Sequence, residues 1–323
     1  MKFSIILCTY NNPKDIKEVI ESVVKQKIKK TNLDFILVSY KLSNNAKNII
    51  KKILKKNNIN LTILNVKKKG KSYALEKALD FAKGEYTLIL DDDNILYLDF
   101  FKQVEKFLKK YKDVGCLGSK GIEDKKLSFP SWFEKYKSHY AIGTIAQGSD
   151  WVWGACSIIK MSAWKSLRAN KFKFYLNPKR TDHTMPITQG GEDGEISLAM
   201  ILHGYQVKFN TKQKFVHKFN QNRLTETYFF NNLIGTSASI PVLEAYRTFK
   251  FNLSLNQLAF IWILKLCKIL LNSLIKFIIN IILIKKFEAK YFFILFSTIL
   301  KSFFKRINLI FILYNNLIKI KKI

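Results

Sequence analysis

Four short apolar runs, at residues 3–7, 35–38, 61–66 and 86–90, alternate with three stretches whose apolar residues recur at helical spacing. The helical stretches cover 15–30 (Ile16, Val19, Ile20, Val23 and Val24 on one face), 46–56 and 71–83, the last closed by Gly84 at a helix-stop position. Strands separated by single helices over so few residues pair as a parallel sheet with crossover helices. Ligands of such sheets sit beyond the carboxyl ends of the strands. Two polar segments fall there: Thr9-Tyr10-Asn11-Asn12-Pro13 after the first run, and Asp91-Asp92-Asp93-Asn94 after the fourth.

From Val114 the pattern loosens. Residues 129–140 are aromatic-rich, and Trp151-Val152-Trp153-Gly154-Ala155 precedes a short strand at 156–159. A polar loop leads to Gly190-Gly191-Glu192-Asp193-Gly194, which opens a helix through Ile196, Leu198, Ala199 and Ile201 that closes at His203-Gly204. Residues 207–209 and 214–217 read as short strands.

Beyond about residue 225 the composition shifts. Residues 258–323 carry twelve Lys or Arg against one acid, Glu288, among Ile, Leu and Phe. Over 258–284, Lys265, Lys268, Asn272, Lys276 and Asn280 recur at gaps of three and four, one helical stripe. Over 291–314, Ser297, Lys301, Ser302, Lys305 and Asn308 cluster similarly. No uncharged run reaches the ~18 residues of a spanning helix. The expectation is a pair of helices lying in a membrane interface, lysines toward anionic headgroups, or else packed on a partner protein. Two domains follow: 1–225, catalytic, and 226–323, basic, apolar and membrane-associating.

The formal charge of +31 calls for an anionic partner, yet a Lys-, Asn- and Ile-rich composition also arises from a low-GC genome. The basic segment is too apolar for a solvated nucleic-acid-binding arm, and no nucleic-acid motif is present, so no nucleic-acid partner is expected. Cys8, Cys116, Cys156 and Cys267 are scattered without a CxxC, which fits a reducing compartment. With no apolar leader at the start, the expected location is cytoplasmic, on the inner face of the cell membrane.

Three adjacent aspartates at a strand end repel one another unless a cation joins them. Their hard oxygens suit Mg²⁺ or Mn²⁺, and that ion suits a diphosphate. Asp193, at a helix start, serves either as a cap or as a general base whose anion the helix stabilises.

These segments together resemble family 2 glycosyltransferases of the GT-A fold. The matching elements are Ser4-Ile5-Ile6-Leu7-Cys8-Thr9-Tyr10-Asn11, Gly70-Lys71-Ser72-Tyr73-Ala74-Leu75-Glu76-Lys77-Ala78, Ala82-Lys83-Gly84-Glu85-Tyr86, Leu90-Asp91-Asp92-Asp93-Asn94, Gly191-Glu192-Asp193-Gly194-Glu195, Leu202-His203-Gly204-Tyr205 and Phe215-Val216-His217. Their order and spacing agree over roughly residues 1–220. The fold implied is α/β: a Rossmann-like, mostly parallel sheet flanked by helices, here followed by the C-terminal helical segment. The implied activity is inverting transfer of a single sugar from a nucleotide-diphosphate sugar to an acceptor hydroxyl, on a glycan or lipid-linked acceptor, in bacterial surface glycan assembly (capsule, O-antigen or lipopolysaccharide).

The resemblance also implies roles. Thr9, Tyr10 and Asn11 line the nucleotide pocket, and Lys71 approaches the base or diphosphate. Asp91, Asp92 and Asp93 form the DxD-type cluster, with Asp92 toward the ribose and Asp93 on the divalent metal. Asp193 is the base and Glu192 touches the acceptor. His217 is either near the metal or a plain strand-end histidine. Trp151 and Trp153 either stack on the acceptor sugar or belong to the core.

Two segments depart from the family pattern. Val38-Ser39-Tyr40-Lys41 lacks the acid usually offered to the nucleobase, which leaves the donor's base open. Gln221-Asn222-Arg223-Leu224 only partly matches the QxxRW motif of processive synthases, which points to single transfer. The rival from another class is a non-catalytic membrane-docking protein on a decayed transferase fold; the intact aspartates and Glu192-Asp193 oppose it. A sugar-nucleotide pyrophosphorylase would need a glycine-rich phosphate loop, and residues 9–13 contain no glycine.

Overall fold

The computed structural model describes residues 1–10, 15–40, 42–66, 71–176 and 190–320. Strands β1 (Phe3–Tyr10), β2 (Leu33–Tyr40), β3 (Asn60–Asn65) and β4 (Tyr86–Asp91) pair in parallel in the spatial order β3-β2-β1-β4. Between them run α1 (Ile16–Val24), α2 (Asn44–Lys56) and α3 (Lys71–Phe81). Successive side chains of a strand face opposite sides. Ile5 and Leu7 therefore pack with Val19, Ile20 and Ile50, while Ile6 packs with Leu75 and Ala78 on the other face. Burial of both faces is why these strands read as unbroken apolar runs.

The chain continues through β5 (Asn94–Leu96), α4 (Phe100–Lys110), β6 (Val114–Glu123), α5 (Phe133–Tyr136), β7 (Ile158–Lys160), α6 (Met161–Ala169), α7 (Glu192–Leu202) and β8 (Gln206–His217). These strands extend the sheet as β4-β7-β6-β8-β5. Only the β6/β8 pairing is parallel there; β4/β7, β6/β7 and β5/β8 are antiparallel. The sheet is thus mixed: parallel on the N-terminal side, mostly antiparallel beyond β4.

Sequence spacing does not announce β6, because Gly115, Gly118 and Gly121 interrupt its apolar pattern. Close approach accounts for two of them. A Cβ on Gly118 would lie 2.7 Å from Val152 Cγ1, and one on Gly121 would lie 1.9 Å from the Ala141 carbonyl oxygen. The segments 207–209 and 214–217 belong to one strand, β8, whose register against β6 shifts between Ser119 and Lys120. That irregularity splits its pattern in two.

Helices α8 (Glu226–Ser237), α9 (Ile240–Thr248), α10 (Leu255–Ile282), α11 (Lys286–Arg306) and α12 (Ile310–Ile320) follow. A capping box between Ser254 and Gln257 starts α10. The helix expected over 291–314 breaks at a 3₁₀ turn, Ile307–Leu309, and α12 turns Ile310, Leu313, Tyr314, Leu317 and Ile320 inward. Those side chains share one core with Leu75, Ile196, Leu198 and Trp262. At the end of α7, the His203 ring places Nδ1 2.6 Å from the Ile320 carbonyl oxygen and Nε2 2.7 Å from Ser166 Oγ.

Candidate active site

The carboxyl ends of β1 and β4 meet the start of α7, as the topology requires. Thr9, near the end of β1, donates its hydroxyl to Asp92 Oδ2 at 2.7 Å. Asp91 ends β4, and Lys71, the first residue of α3, places Nζ 2.6 Å from its Oδ1. Lys71, Gly154, Ser157, Glu192 and Asp193 line one pocket. Tyr10 ends β1; Asn11 lies outside the described residues.

Asp193 lies inside the first turn of α7, two residues past the capping position, which Gly191 holds. Its Oδ1 accepts the Gly194 N–H at 2.8 Å, within its own turn, and its Oδ2 accepts the Gly154 N–H at 2.9 Å. The carboxylate thus both satisfies a free helix N–H and is held across the pocket by the 151–155 loop. Gly191, the residue before α7, has φ +111°, and a Cβ there would meet Ser239 at 2.7 Å, so glycine is required at this turn.

Asp93 faces two basic groups. His217 Nε2 lies 3.3 Å from Oδ1, and Arg223 donates to Oδ2 at 3.0 Å. Asn94 is fully buried and ties the loop together: its amide donates to Asp93 Oδ1 at 3.2 Å, and its Oδ1 accepts the Asp91 N–H at 3.3 Å.

The charges set the protonation pattern. Burial pushes the Asp92 carboxyl up to about 6, against the pull of the Thr9 hydroxyl. Burial also acts to raise Asp93, but the charge and hydrogen bond of His217, with Arg223, outweigh it and hold Asp93 down at about 2. Burial raises Asp193, opposed by the N–H groups of Gly194 and Gly154 and by Lys71. Glu192 is raised by burial and by Asp193, again opposed by Lys71. Burial alone would lower Lys71, yet Asp91 and Glu192 keep it firmly charged. A carboxylate raised toward neutrality is suited to accept a proton.

Asp93 and His217 fit a divalent cation. The His217 Nδ1 lies 2.7 Å from the Tyr140 carbonyl oxygen, a second-shell contact that fixes the ring with Nε2 toward Asp93 Oδ1. A cation would have to displace the His217 and Arg223 contacts of Asp93; the Asp93 carboxylate and a neutral His217 imidazole would then be donors suited to Mn²⁺ or Mg²⁺. Among the described residues no group of three or more His, Cys, Asp or Glu side chains closes a metal cage.

Trp153 is core: it is buried and donates its indole N–H to the Ser119 carbonyl at 3.0 Å, whereas Trp151 is half-buried. Arg223, Asn94 and the Gly154 N–H were not among the expected site residues.

A mixed sheet with carboxylates gathered at its switch from parallel to antiparallel pairing, and a helix start facing them, defines a glycosyltransferase of the GT-A fold. The sequence model described as "Glycosyl transferase family 2" matches residues 4–168, and the chain belongs to that family. It is 28% identical over 176 residues to the poly(ribitol-phosphate) beta-N-acetylglucosaminyltransferase TarP of Staphylococcus aureus, covering 54% of this chain and 52% of TarP. The crystal structure of S. aureus TarS 1-349 superposes with a TM-score of 0.51 at 19% identity, over 76% of this chain and 65% of that one. The mannosyltransferase PcManGT from Pyrobaculum calidifontis, in complex with GDP-Man and Mn²⁺, gives 0.53 at 16% identity, over 76% and 63%. The chain thus spans about half the length of TarP and less than two thirds of each solved structure.

Proposed function

We propose that this protein transfers a single sugar from a nucleotide-diphosphate sugar to an acceptor hydroxyl, with inversion, in assembly of a bacterial surface glycan. The observation that carries this is Asp193: a half-buried carboxylate of raised pKa, held by two backbone N–H groups at a pocket shared with Lys71. Asp193 takes the proton of the acceptor hydroxyl as that oxygen attacks the anomeric carbon from the face opposite the diphosphate. The bond from carbon to the diphosphate oxygen breaks in the same displacement, and configuration inverts. Lys71 and Arg223 offset the charge that builds on the departing nucleoside diphosphate. A divalent ion held by Asp93 and His217 would supply further charge neutralisation there. Thr9 orients Asp92 toward the ribose, and Glu192 borders the acceptor.

The donor class is supported by TarS, a relative of known structure that takes UDP-GlcNAc, and by PcManGT, which takes GDP-Man. The names of TarS and TarP place those proteins on poly(ribitol-phosphate), which favours a surface polymer or lipid-linked glycan as acceptor here too.

Residues 226–323 are proposed to rest on the anionic inner face of the cytoplasmic membrane. Helix α10 is long and apolar enough to cross a membrane by length and composition alone. Its first half, however, buries Leu258, Trp262 and Leu266 in the core that holds Ile196. The remainder, 267–282, reaches only about 24 Å at 1.5 Å per residue, short of a ~30 Å hydrocarbon core. Peripheral contact is the reading this favours.

The test is nucleotide release from UDP-, GDP-, dTDP- and CMP-sugars, with and without Mn²⁺. Metal-dependent turnover of one donor, lost in Asp93→Ala and in Asp193→Asn, is expected. Silence across the panel, with no metal-dependent nucleotide binding by calorimetry, would favour a non-catalytic docking protein instead.

A further inference from the structure

Glu195 follows Asp193 by two residues on the first turn of α7 and is fully buried. The transfer chemistry leaves it unused. Its Oε1 accepts the Tyr175 N–H at 2.7 Å and the Tyr246 hydroxyl at 2.8 Å, and its Oε2 accepts the Leu176 N–H at 3.0 Å. Tyr246 belongs to α9. The charge of Arg306, at the end of α11, also reaches this carboxylate. The Tyr175 hydroxyl in turn accepts a hydrogen bond from Asn316 of α12. Three C-terminal helices therefore converge on this one side chain or its direct partner.

At 3.6 residues per turn, two residues are separated by roughly 200° around a helix. Asp193 and Glu195 thus grip opposite sides of α7: one on the Gly154 loop, the other on Tyr175, Leu176 and α9. A single grip would leave the turn free to roll about its axis; two opposed grips stop it. The packing is equally close, since a Cβ on Gly194 would lie 3.2 Å from Leu243 of α9. Burying a carboxylate is costly even when it is hydrogen-bonded. An apolar residue would fill the site at less cost, but it could not hold three donors at fixed angles.

We propose that Glu195 is a positioning residue: it locks the first turn of α7 to the C-terminal helices and so fixes Asp193 against Gly154. The proposal rests on the reading of Asp193 as the base. It makes the C-terminal helices part of the transfer machinery as well as a docking surface.

The test uses the full chain with Glu195→Gln, Tyr246→Phe and the double variant. Turnover of whichever sugar nucleotide the panel identifies is measured per binding site, counted by UDP or GDP calorimetry with Mn²⁺. In Glu195→Gln an amide N–H meets the Leu176 N–H, so that bond is lost. Since a displacement of about 1 Å can cost around 10²-fold, kcat is expected to fall about 10- to 100-fold. Nucleotide Kd should stay within about twofold. Tyr246→Phe, which keeps size and fold, should lower kcat a few-fold, and the double variant should fall by less than the product. Unchanged kcat per site in both single variants, with only the melting temperature lowered, would overturn the proposal while leaving Asp193 in place. Full turnover in Asp193→Asn would overturn the base assignment, and this proposal with it.

Discussion

Lys71 Nζ lies 2.6 Å from Asp91 Oδ1 while lining the same pocket as Asp193, so one ammonium serves both the aspartate cluster and the α7 carboxylates. Its charge is the main restraint on the rise of Glu192, and it adds to the Gly194 and Gly154 N–H groups in restraining that of Asp193.

Replacing Lys71 by Met should therefore act twice. Loss of a cation beside the departing diphosphate is expected to lower kcat/KM by about 10²- to 10³-fold. The pKa of Asp193 should also rise, because a charge that lowers it is gone. A base works ionised, so the acid limb of the pH–rate profile should move to higher pH. A profile that keeps its acid limb in place would show that Lys71 does not act on Asp193.

Gly121→Ala should destabilise the fold. The new Cβ meets a backbone oxygen, Ala141 O, which cannot swing away as a side-chain tip can, and Gly121 O also accepts the Gly143 N–H at 2.9 Å. Overpacking of this kind costs about 1–3 kcal/mol, or more where backbone must shift. Urea unfolding is the measurement, and a loss below about 0.5 kcal/mol would mean the 141–143 loop yields freely.

These glycines also show where the sequence was legible. The first four strands and three helices were readable because both sheet faces are buried and the loops fall at strand ends. The aspartates, Lys71 and Glu192-Asp193 stood out through motif order, and the fold brings them to one end of the sheet. Strand β6 was hidden because its residues are chosen for what presses on them, Val152 and Ala141, which are distant in sequence. Arg223 and Tyr246 were hidden for the same reason: their partners Asp93 and Glu195 are brought to them only by the fold. The apolar stripe of α12 was legible as a helix face but not as to what covers it, since periodicity gives a face and not its neighbour.

Stability should fall with rising pH through the Glu195 titration. Burial pushes this carboxyl up to about 7, against about 4.3 for a free side chain. The folded state therefore holds its proton more tightly than the unfolded state. The contribution is fully present below about pH 4.3 and is lost as pH rises to about 7, on the order of 3 kcal/mol in all. Glu195→Gln should flatten that decline in urea titrations at pH 5 and pH 8. An equal decline in both proteins would assign it to other groups.

The turn joining α10 to α11 should be a point of membrane contact. Ile281, Ile282, Leu283 and Ile284 there are 53–79% exposed, with Lys285 and Lys286 beside them. Ile282→Asp with Ile284→Asp should reduce recovery on vesicles containing anionic lipid, most at high salt, where lysine attraction is screened. Donor turnover in solution should be unaffected. Undiminished recovery would remove this turn from the contact.

The bond between the His203 ring and the Ile320 carbonyl carries a consequence for biosynthesis. The pairing residues of β1–β4 all emerge within the first 91 positions, but the end of α7 finds its last partner only when residue 320 is made. At 5–20 residues per second, the span from 202 to 320 takes roughly 6–24 s to translate. The half proposed to bind the nucleotide can be assembled on the ribosome while the helix bearing Asp193 still lacks its support, so the nascent chain should acquire donor binding before it acquires turnover.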